Sequence, residues 1–338
     1  MQRGSVMSND SAGILSVLAG LGACMTLGIA PATGASSSAA DYPSRPIRLV
    51  VPVSAGGGTD IVARYIGQQL TEGWGQHVVV DNRAGAGGSI GASIVAESAP
   101  DGHTILLGSV GHITFTPALF RKLPYDPQGF TPITLAAQQP FVLAAHSSFP
   151  PKSVGELIEL AKSRPGKGNY GSGGNGGASH LGIELLQMLA GISMVHVPYK
   201  GTGPGMTALV SGEIPMLLVG VATVLPHLKR GSIRALAVSG STRSQALPNV
   251  PTIAEAGVPD YAFDVWYGML FPPKTPAAIV NKANAAIVAM LKSAATAKRF
   301  ASLGLEPRHS TPQEFAALIA REIPKWRKVV AAAKIKTN

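Results

Sequence analysis

The residues best suited to bind a small ligand lie in three glycine-rich stretches. The first runs from Val53 to Asp60 with the sequence VSAGGGTD, between a predicted strand and a predicted helix. Absent side chains let a ligand approach the backbone, and free N–H groups at a helix start favour an anion. A carboxylate suits this chemistry, so ligand contacts are predicted for Ala55, Gly56, Gly57, Thr59 and Asp60.

The same stretch has a purely structural interpretation, which the sequence leaves open. Glycine supplies a tight turn at such a position, and Thr59 or Asp60 then caps the following helix. The carboxylate of Asp60 would repel a directly adjacent anion, so we expect it to orient backbone or water rather than touch a ligand carboxylate.

The second stretch, 170–180, has the sequence YGSGGNGGASH and again precedes a predicted helix. It offers backbone donors, two hydroxyls, an amide and an imidazole, and facing the first stretch across a cleft it could hold a dicarboxylate or an amino acid. Ligand contacts are predicted for Ser172, Gly173, Asn175, Ser179 and His180. A surface loop in which Ser179 caps the helix and His180 is solvated is the alternative.

The third stretch, 196–204, ends another predicted strand and contains Lys200, Gly201 and Thr202. Lys200 could supply a cation, but a solvated surface lysine is the ordinary expectation, so Gly201 and Thr202 are the predicted ligand contacts. Beyond the third predicted strand lie Ser109 and His112. Both are candidates for the same cleft, as is Trp266 near the predicted hinge, and each is equally consistent with simple packing.

Enzymatic signatures are weak in this sequence. The segment 85–91, GAGGSIG, resembles a dinucleotide-binding loop, but it follows the second predicted strand and no ribose-binding acid stands at the expected distance. Neither a phosphate-binding Gly-Lys-Ser/Thr loop nor an HExxH pair occurs, and Tyr170 replaces the first glycine that a nucleophile elbow around Ser172 would need. We therefore predict no catalytic residue, no cofactor and no metal site.

Composition indicates a globular chain with a large core. The sequence has 338 residues, of which 46% are hydrophobic and 14% charged. Its formal net charge of +10 is densest near the C-terminus, at Lys325, Arg327, Lys328, Lys334 and Lys336. A nucleic-acid role would require interleaved aromatics and a basic face near the loops, and neither is evident. We interpret the charge as surface solvation that also favours anionic ligands.

The first 40 residues have the pattern of a secretory signal peptide. Arg3 precedes an apolar run from Gly13 to Ala30, and small residues precede Asp41, the predicted start of the mature chain. Export to the periplasm follows from this interpretation. A membrane anchor and a lipoprotein signal with a lipidated Cys24 are the two alternatives; Cys24 is the only cysteine, so cleavage after it leaves no thiol or disulfide.

The elements expected to position these loops alternate short β-branched runs with helical patterns, which favours parallel strands joined by crossover helices. Strands are predicted at 47–53, 78–80, 104–108, 141–145, 194–197, 216–219, 234–238 and 267–271. Helices are predicted at 60–72, 89–98, 154–163, 179–190 and 203–211, with two more beginning near Thr275 and Thr311. The fold class is α/β, with two doubly wound lobes, 41–138 plus 268–338 and 139–267, joined by two crossing strands and hinged around a cleft.

Motifs along nearly the whole mature chain resemble the Bug family, the substrate-binding components of tripartite tricarboxylate transporters. The matching stretches are 42–52 (YPSRPIRLVVP), 81–88 (DNRAGAGG), 100–102 (PDG), 123–127 (LPYDP), 196–201 (HVPYKG) and 234–238 (RALAV). The resemblance implies a periplasmic-binding-protein type II fold, or Venus flytrap, that closes on a carboxylate held by loop backbone and water. It places the family's two binding loops on 55–60 and 172–180.

The sequence departs from the family at two turns. Ser54 to Gly57 replaces a Pro-Pro-Gly-Gly turn, and Thr116-Pro117 replaces Asn-Pro, so substrate identity is not transferred. The expected ligand is a dicarboxylate, an aromatic acid or an amino acid, and the expected partners are membrane transporter subunits, with the protein itself a monomer. A periplasmic sensor that presents its liganded form to a signalling protein is the second hypothesis, and an NAD(P)-dependent oxidoreductase or hydrolase is the third.

Overall fold

The computed structural model describes residues 41–56, 58–120 and 122–335. The predicted signal peptide at 1–40, with Cys24, lies outside the described residues, as do Gly57 and Lys336. No helix within the described ranges combines the length and the apolar character needed to cross a bilayer.

Eleven strands and ten α-helices form within these ranges. The strands are β1 Ile47–Val51, β2 Val78–Asn82, β3 Thr104–Ser109, β4 Thr131–Gln139, β5 Phe141–His146, β6 Asn169–Ser172, β7 Val195–Pro198, β8 Met216–Gly220, β9 Ile233–Val238, β10 Val265–Phe271 and β11 Glu306–Pro307. The helices are α1 Gly58–Trp74, α2 Ser89–Ala96, α3 Thr116–Leu119, α4 Val154–Ser163, α5 Ala178–Ala190, α6 Thr202–Ser211, α7 Val221–Lys229, α8 Ala277–Leu291, α9 Ala294–Ser302 and α10 Pro312–Ala332.

The predicted strands and helices are confirmed to within a few residues, and their local signals explain them. Helix α1 buries Val62, Ile66 and Leu70 at the helical spacing that the pattern indicated. The side chain of Ser153 accepts a hydrogen bond from the backbone of Glu156 at the start of α4, as its spacing predicts.

Strands β4 and β11 and helices α3, α7 and α9 were missed. Pro132, together with alanines and glutamines, gives β4 a weak strand signal, and Pro226 lies inside α7. Neighbouring strands therefore decide the conformation of β4, which pairs along its length with β10.

The strands form two separate mixed sheets. The first sheet has the order β11-β4-β10-β3-β1-β2, in which β1 runs parallel to β2 and β3 while β10 is antiparallel to β3 and β4. The second has the order β7-β6-β8-β5-β9, in which β6 runs parallel to β7 and β8. The α/β class with two doubly wound sheets is therefore confirmed.

Two backbone segments connect the sheets. Strand β4 of the first sheet continues through Pro140 into β5 of the second, and the segment 239–264 returns from β9 to β10. All of β10 from Val265 onward pairs within the first sheet, so the predicted lobe boundary at residue 267 falls inside a strand. We propose that the boundary lies before Val265.

Helix α10 holds the second crossing segment against the first sheet. The ring of Trp326, which is fully buried, contacts Phe115 at 4.7 Å and Phe263 at 5.4 Å between centroids. Phe263 belongs to the crossing segment, and α10 also packs on β4 and α5. Edge-on aromatic contacts of this kind add to the burial energy and fix ring orientation. The C-terminal helix therefore joins elements of both sheets.

The start of α10 depends on a reciprocal cap. The hydroxyl of Thr311 accepts from the backbone N–H of Glu314 at 3.1 Å, and the Glu314 carboxylate accepts from the Thr311 N–H at 2.8 Å. Replacing Thr311 with Ala should lower the free energy of unfolding by about 1 kcal/mol, because an orphan N–H loses its acceptor. Urea denaturation measures this, with Thr311→Ser as the control that keeps the hydroxyl. Equal stability of the Ala and Ser variants would contradict the assignment.

Candidate functional site

A cleft of about 710 Å³ lies where loops of both sheets meet. Loops from the first sheet supply the residues that follow β1, β2 and β3, and the loop after β6 supplies the second sheet's share. The lining residues of these loops are Pro52, Val53, Ser54, Ala84, Gly85, Gly87, Gly88, Ser109, Val110, Gly111, His112, Phe115, Thr116, Leu119, Phe120, Asn175, Gly176, Gly177 and Ala178, completed by Val265 and Ile335. Ligands of α/β proteins bind outside the carboxyl ends of parallel strands, which is where this cleft opens.

Two helix N-termini border the cleft from opposite sides. Helix α2 begins at Ser89 after the N-cap Gly88, and α5 begins at Ala178 after the N-cap Gly177. Neither glycine provides a side-chain cap, and although the Ser89 N–H donates to the Ala86 carbonyl, the other first-turn N–H groups have no acceptor within their own helix. Such groups carry partial positive charge and attract anions. No Asp, Glu, Lys or Arg is among the described residues that line the cleft.

The loop after β6 is held from beneath by four polar side chains. Ser179 accepts the N–H of Gly173 at 2.9 Å, and Nδ1 of His180 accepts the N–H of Gly176 at 3.0 Å. Ser172 is fully buried, and its hydroxyl bonds to Nε2 of His196 at 2.5 Å. Three of the predicted ligand contacts, Ser172, Ser179 and His180, therefore shape the loop from inside.

The two imidazoles beneath this loop are stacked. The rings of His180 and His196 lie 3.7 Å apart at an interplanar angle of 10°, and the ring of Tyr170 stacks on His196. Glu184 accepts hydrogen bonds from Tyr170 and Gln187. Although burial opposes its ionised form, hydrogen bonds from His180 and Tyr170 hold the pKa of the Glu184 carboxyl below its usual range. The stack and the carboxylate make a rigid floor for the loop.

Within the described residues, no group of three or more His, Cys, Asp and Glu side chains is arranged to hold a metal ion. A second cavity, of about 680 Å³, has His180, Glu184 and His196 among its lining residues. Asn175 borders both cavities.

On the opposite wall of the cleft, His112 is held as a neutral imidazole. Its Nδ1 lies 2.9 Å from the hydroxyl of Ser109 and accepts the Ser109 backbone N–H at 3.2 Å. A nitrogen that accepts an N–H carries no proton, so the ring proton is on Nε2 and is available for donation. Burial lowers the pKa of His112 to about 4, so the ring contributes a donor without net charge at neutral pH.

The turn before α1 is occupied by its own carboxylate. Asp60 is only 2% exposed and accepts bonds from the Gly56 N–H at 2.8 Å, from Arg64 at 2.9 Å and from Asn82 at 3.0 Å. Burial opposes its ionisation, but the hydrogen bonds from Arg64 and Gly56 keep the pKa of Asp60 below its usual range. Ser54 of this stretch lines the cleft, whereas the predicted contacts Ala55, Gly56, Thr59 and Asp60 do not.

Of the remaining predicted ligand contacts, some line the cleft and others do not. Ser109 and Asn175 line the cleft, but Gly201 and Thr202 pack against Gly173, with the Gly201 N–H donating to the Gly173 carbonyl at 3.0 Å. Trp266 packs edge-on against Phe315 and borders a different cavity, because successive side chains of a strand point to opposite faces and Val265 is the one that faces the cleft.

Sequence reasoning missed the loop after β2. Gly85, Gly87 and Gly88 line the cleft, although the segment was interpreted as a weak dinucleotide-loop signal and as a family motif and was given no predicted ligand contact. A Cβ on Gly88 would lie 2.4 Å from Cδ2 of His112, and its φ of +91° also favours glycine. The available signal was position: like the loop after β6, this one is a glycine-rich passage from a parallel strand into a helix.

Two α/β sheets, two crossings and a cleft formed by both define a solute-binding protein of the periplasmic-binding-protein type II class. Residues 62–335 match the family model described as "Tripartite tricarboxylate transporter family receptor", and the chain belongs to this family. Protein BugT of Bordetella pertussis is 37% identical over 315 residues, which cover 92% of this chain and 95% of that protein.

Solved structures similar to this chain support the same family assignment. The chain is similar to Rpa4515 of R. palustris, described with adipate, at 38% identity and a TM-score of 0.73, covering 87% of this chain and 99% of that one. MatC of Rhodopseudomonas palustris, described with bound malate, is 36% identical with a TM-score of 0.69, covering 86% and 100% respectively. The family and the fold are those of binding receptors, and the resemblance seen in the sequence is confirmed.

The buried imidazoles make stability depend on pH. Burial lowers the pKa of His112 to about 4, and burial together with the neighbouring His180 does the same for His196. The unfolded chain therefore takes up protons first as pH falls, so stability is complete above about pH 6.5 and is lost toward pH 4. His112→Asn keeps an acceptor for Ser109 that does not titrate. Its urea midpoint should fall less between pH 7 and pH 4.5 than that of the unmodified protein.

The exposed His77 provides the matched control. His77→Asn should retain the full acid sensitivity of the unmodified chain. If His112→Asn lost stability with falling pH as steeply as the unmodified protein, the neutral buried state of His112 would be refuted.

Proposed function

We propose that the protein captures a small carboxylate in the cleft and delivers it to the membrane subunits of a tripartite tricarboxylate-type transporter. The expected ligands are dicarboxylates, aromatic acids and amino acids. The observation that supports this most directly is that the N-cap glycines of α2 and α5, Gly88 and Gly177, neither of which has a side-chain cap, both line the same cleft.

A site of this kind binds anions without a counter-charge. Backbone N–H groups and the Nε2–H of a neutral His112 supply donors in a partly buried space, where each hydrogen bond to a charged oxygen is stronger than one between neutral groups. Because no acidic side chain is among the described lining residues, nothing there repels a carboxylate. The adipate and malate named for Rpa4515 and MatC are of the same chemical class.

Binding to both sheets would drive closure. A ligand shifts the population toward a closed form only if it contacts that form better than the open one. A carboxylate bridging the α2 and α5 starts satisfies this condition, and the crossings at Pro140 and 239–264 are where the backbone can flex. We propose that export through a signal peptide at 1–40 brings the protein to the periplasm, where transporter subunits recognise the closed form.

The direct test is a thermal-shift screen of the mature chain against mono-, di- and aromatic carboxylates, amino acids and NAD(P). A ligand that binds only the native state raises the melting temperature once its concentration exceeds the dissociation constant. We expect a concentration-dependent rise with at least one carboxylate and no turnover of it. Silence across all the acids would overturn the proposal, as would consumption of NAD(P) together with an acid.

A single substitution tests the location. Gly177 has φ −76° and ψ 172°, which Asp adopts readily at an N-cap. Gly177→Asp should cap α5 with its own carboxylate and place a negative charge where the ligand's is proposed to lie. Carboxylate affinity should fall by at least about tenfold while the melting temperature of the empty protein holds or rises slightly. Isothermal titration calorimetry measures the affinity.

Gly177→Asn is the matched control, because it has nearly the same shape without the charge. It should weaken binding much less than Gly177→Asp. Equal affinities for the Asp variant and the unmodified protein would show that the ligand carboxylate binds elsewhere.

A further inference from the structure

We infer that the acid bound in this cleft has an unsubstituted hydrocarbon body, and that Leu119 and Phe120 are the residues that select it. The inference rests on the proposed function and adds a substrate class to it. It is carried by the position of these two side chains, by the internal pairing of nearby hydroxyls and by the absence of charged side chains from the described lining.

Leu119 spans the cleft to the loop of the second sheet. It is the last residue of α3, on the first-sheet side, and a Cβ on Gly176 would lie 2.7 Å from its Cδ1. Gly176 directly precedes Gly177, the N-cap of α5. The Leu119 side chain is therefore an apolar neighbour of the α5 start.

Phe120 is an apolar neighbour of the other helix start, that of α2. A Cβ on Gly87 would lie 3.3 Å from Cε2 of the Phe120 ring, and Gly87 directly precedes Gly88, the N-cap of α2. Both Leu119 and Phe120 are half-buried and line the cleft. Consecutive residues thus put aliphatic and aromatic surface beside each of the two anion-attracting ends, where the body of a bound acid must pass.

Two hydroxyl groups that line the same side of the cleft already have hydrogen-bond partners. The Thr116 hydroxyl donates to the carbonyls of Gly87 at 2.6 Å and Gly111 at 3.1 Å, and the Ser109 hydroxyl is paired with Nδ1 of His112. A hydroxyl on the ligand body would lose its hydrogen bonds to water, while the Thr116 and Ser109 hydroxyls already have partners and the Nε2–H of His112 is the donor proposed for the carboxylate. Burying an unpaired polar group is unfavourable, whereas burying methylene or ring carbon against Leu119 and Phe120 is favourable.

The charge of the cleft lining also favours acids with no more than two carboxylates. No lysine or arginine is among the described residues lining the cleft, so none of these residues supplies a counter-charge to a third carboxylate. A straight-chain diacid can use both starts at once, and a monoacid only one. Tricarboxylates and polyhydroxy acids are therefore disfavoured.

The test compares acids of matched length that differ only in hydroxyl number. Succinate, malate and tartrate form one series, adipate and galactarate a second, and hexanoate and citrate test the number of carboxylates. Calorimetry on the mature protein should show affinity falling by about tenfold or more from succinate to tartrate and from adipate to galactarate. Hexanoate should bind more weakly than adipate but more tightly than citrate.

Two variants assign the preference to residues. Leu119→Asn and Phe120→Asn should each shrink the adipate-to-galactarate affinity ratio several-fold. Val79→Asn, on the edge strand β2 and 55% exposed, should leave the ratio unchanged. Urea denaturation checks that each variant is folded. If one variant does not fold, the other tests the assignment to its residue, and the hydroxyl series on the unmodified protein still tests the preference for a hydrocarbon body.

The outcomes separate this inference from the proposed function. Failure of every acid to bind would sink the proposed function itself. Binding of tartrate or galactarate as tight as that of succinate or adipate would leave carboxylate capture standing and overturn the hydrocarbon preference. An unchanged ratio in both folded variants would overturn the assignment to Leu119 and Phe120.

Discussion

The site depends on the way the backbone passes between the two sheets. One passage is a single residue, Pro140, between β4 and β5, and the other is the segment 239–264, pinned by Phe263 against Trp326 of α10. These passages orient the sheets so that the loops after β1, β2 and β3 lie across one cleft from the loop after β6. Because β2 and β6 end at the cleft, the helices α2 and α5 that follow them begin beside it, and first-turn N–H groups without an acceptor in their own helix come with this topology. No charged side chain needs to be placed for the cleft to attract an anion.

Attracting an anion with backbone N–H groups affects how strongly the ligand is held. A carboxylate buried against arginine is held strongly but is costly to desolvate, whereas N–H groups, a neutral imidazole and a partly apolar wall match an anion that must also be released. The acidic groups near the loops, Asp60 and Glu184, are kept out of the cleft by their own hydrogen bonds, one in the turn before α1 and the other beneath the stacked histidines. Their roles are to shape the loops, which is why neither carboxylate is among the described residues that line the cleft.

Sequence patterns predicted the class, most elements and the family, because hydrophobic periodicity and caps such as that of Thr311 are local signals. They indicated the loop after β6, which borders the cleft, but not the direction of its side chains: Ser172, Ser179 and His180 turn inward, since their partners at Gly173, Gly176 and His196 are set by tertiary contacts. The loop after β2 was undervalued because its glycines resembled another motif. Leu119 and Phe120 were not considered, because only the folded chain brings them next to Gly176 and Gly87.

The most direct measurement is a crystal structure of the mature protein with a bound carboxylate. Carboxylate oxygens should lie within hydrogen-bond distance, about 2.7–3.2 Å, of first-turn N–H groups of both α2 and α5, with the carbon body against Leu119 and Phe120. A ligand that contacts one sheet's loops alone, or that occupies the cavity behind the stacked histidines, would contradict the account.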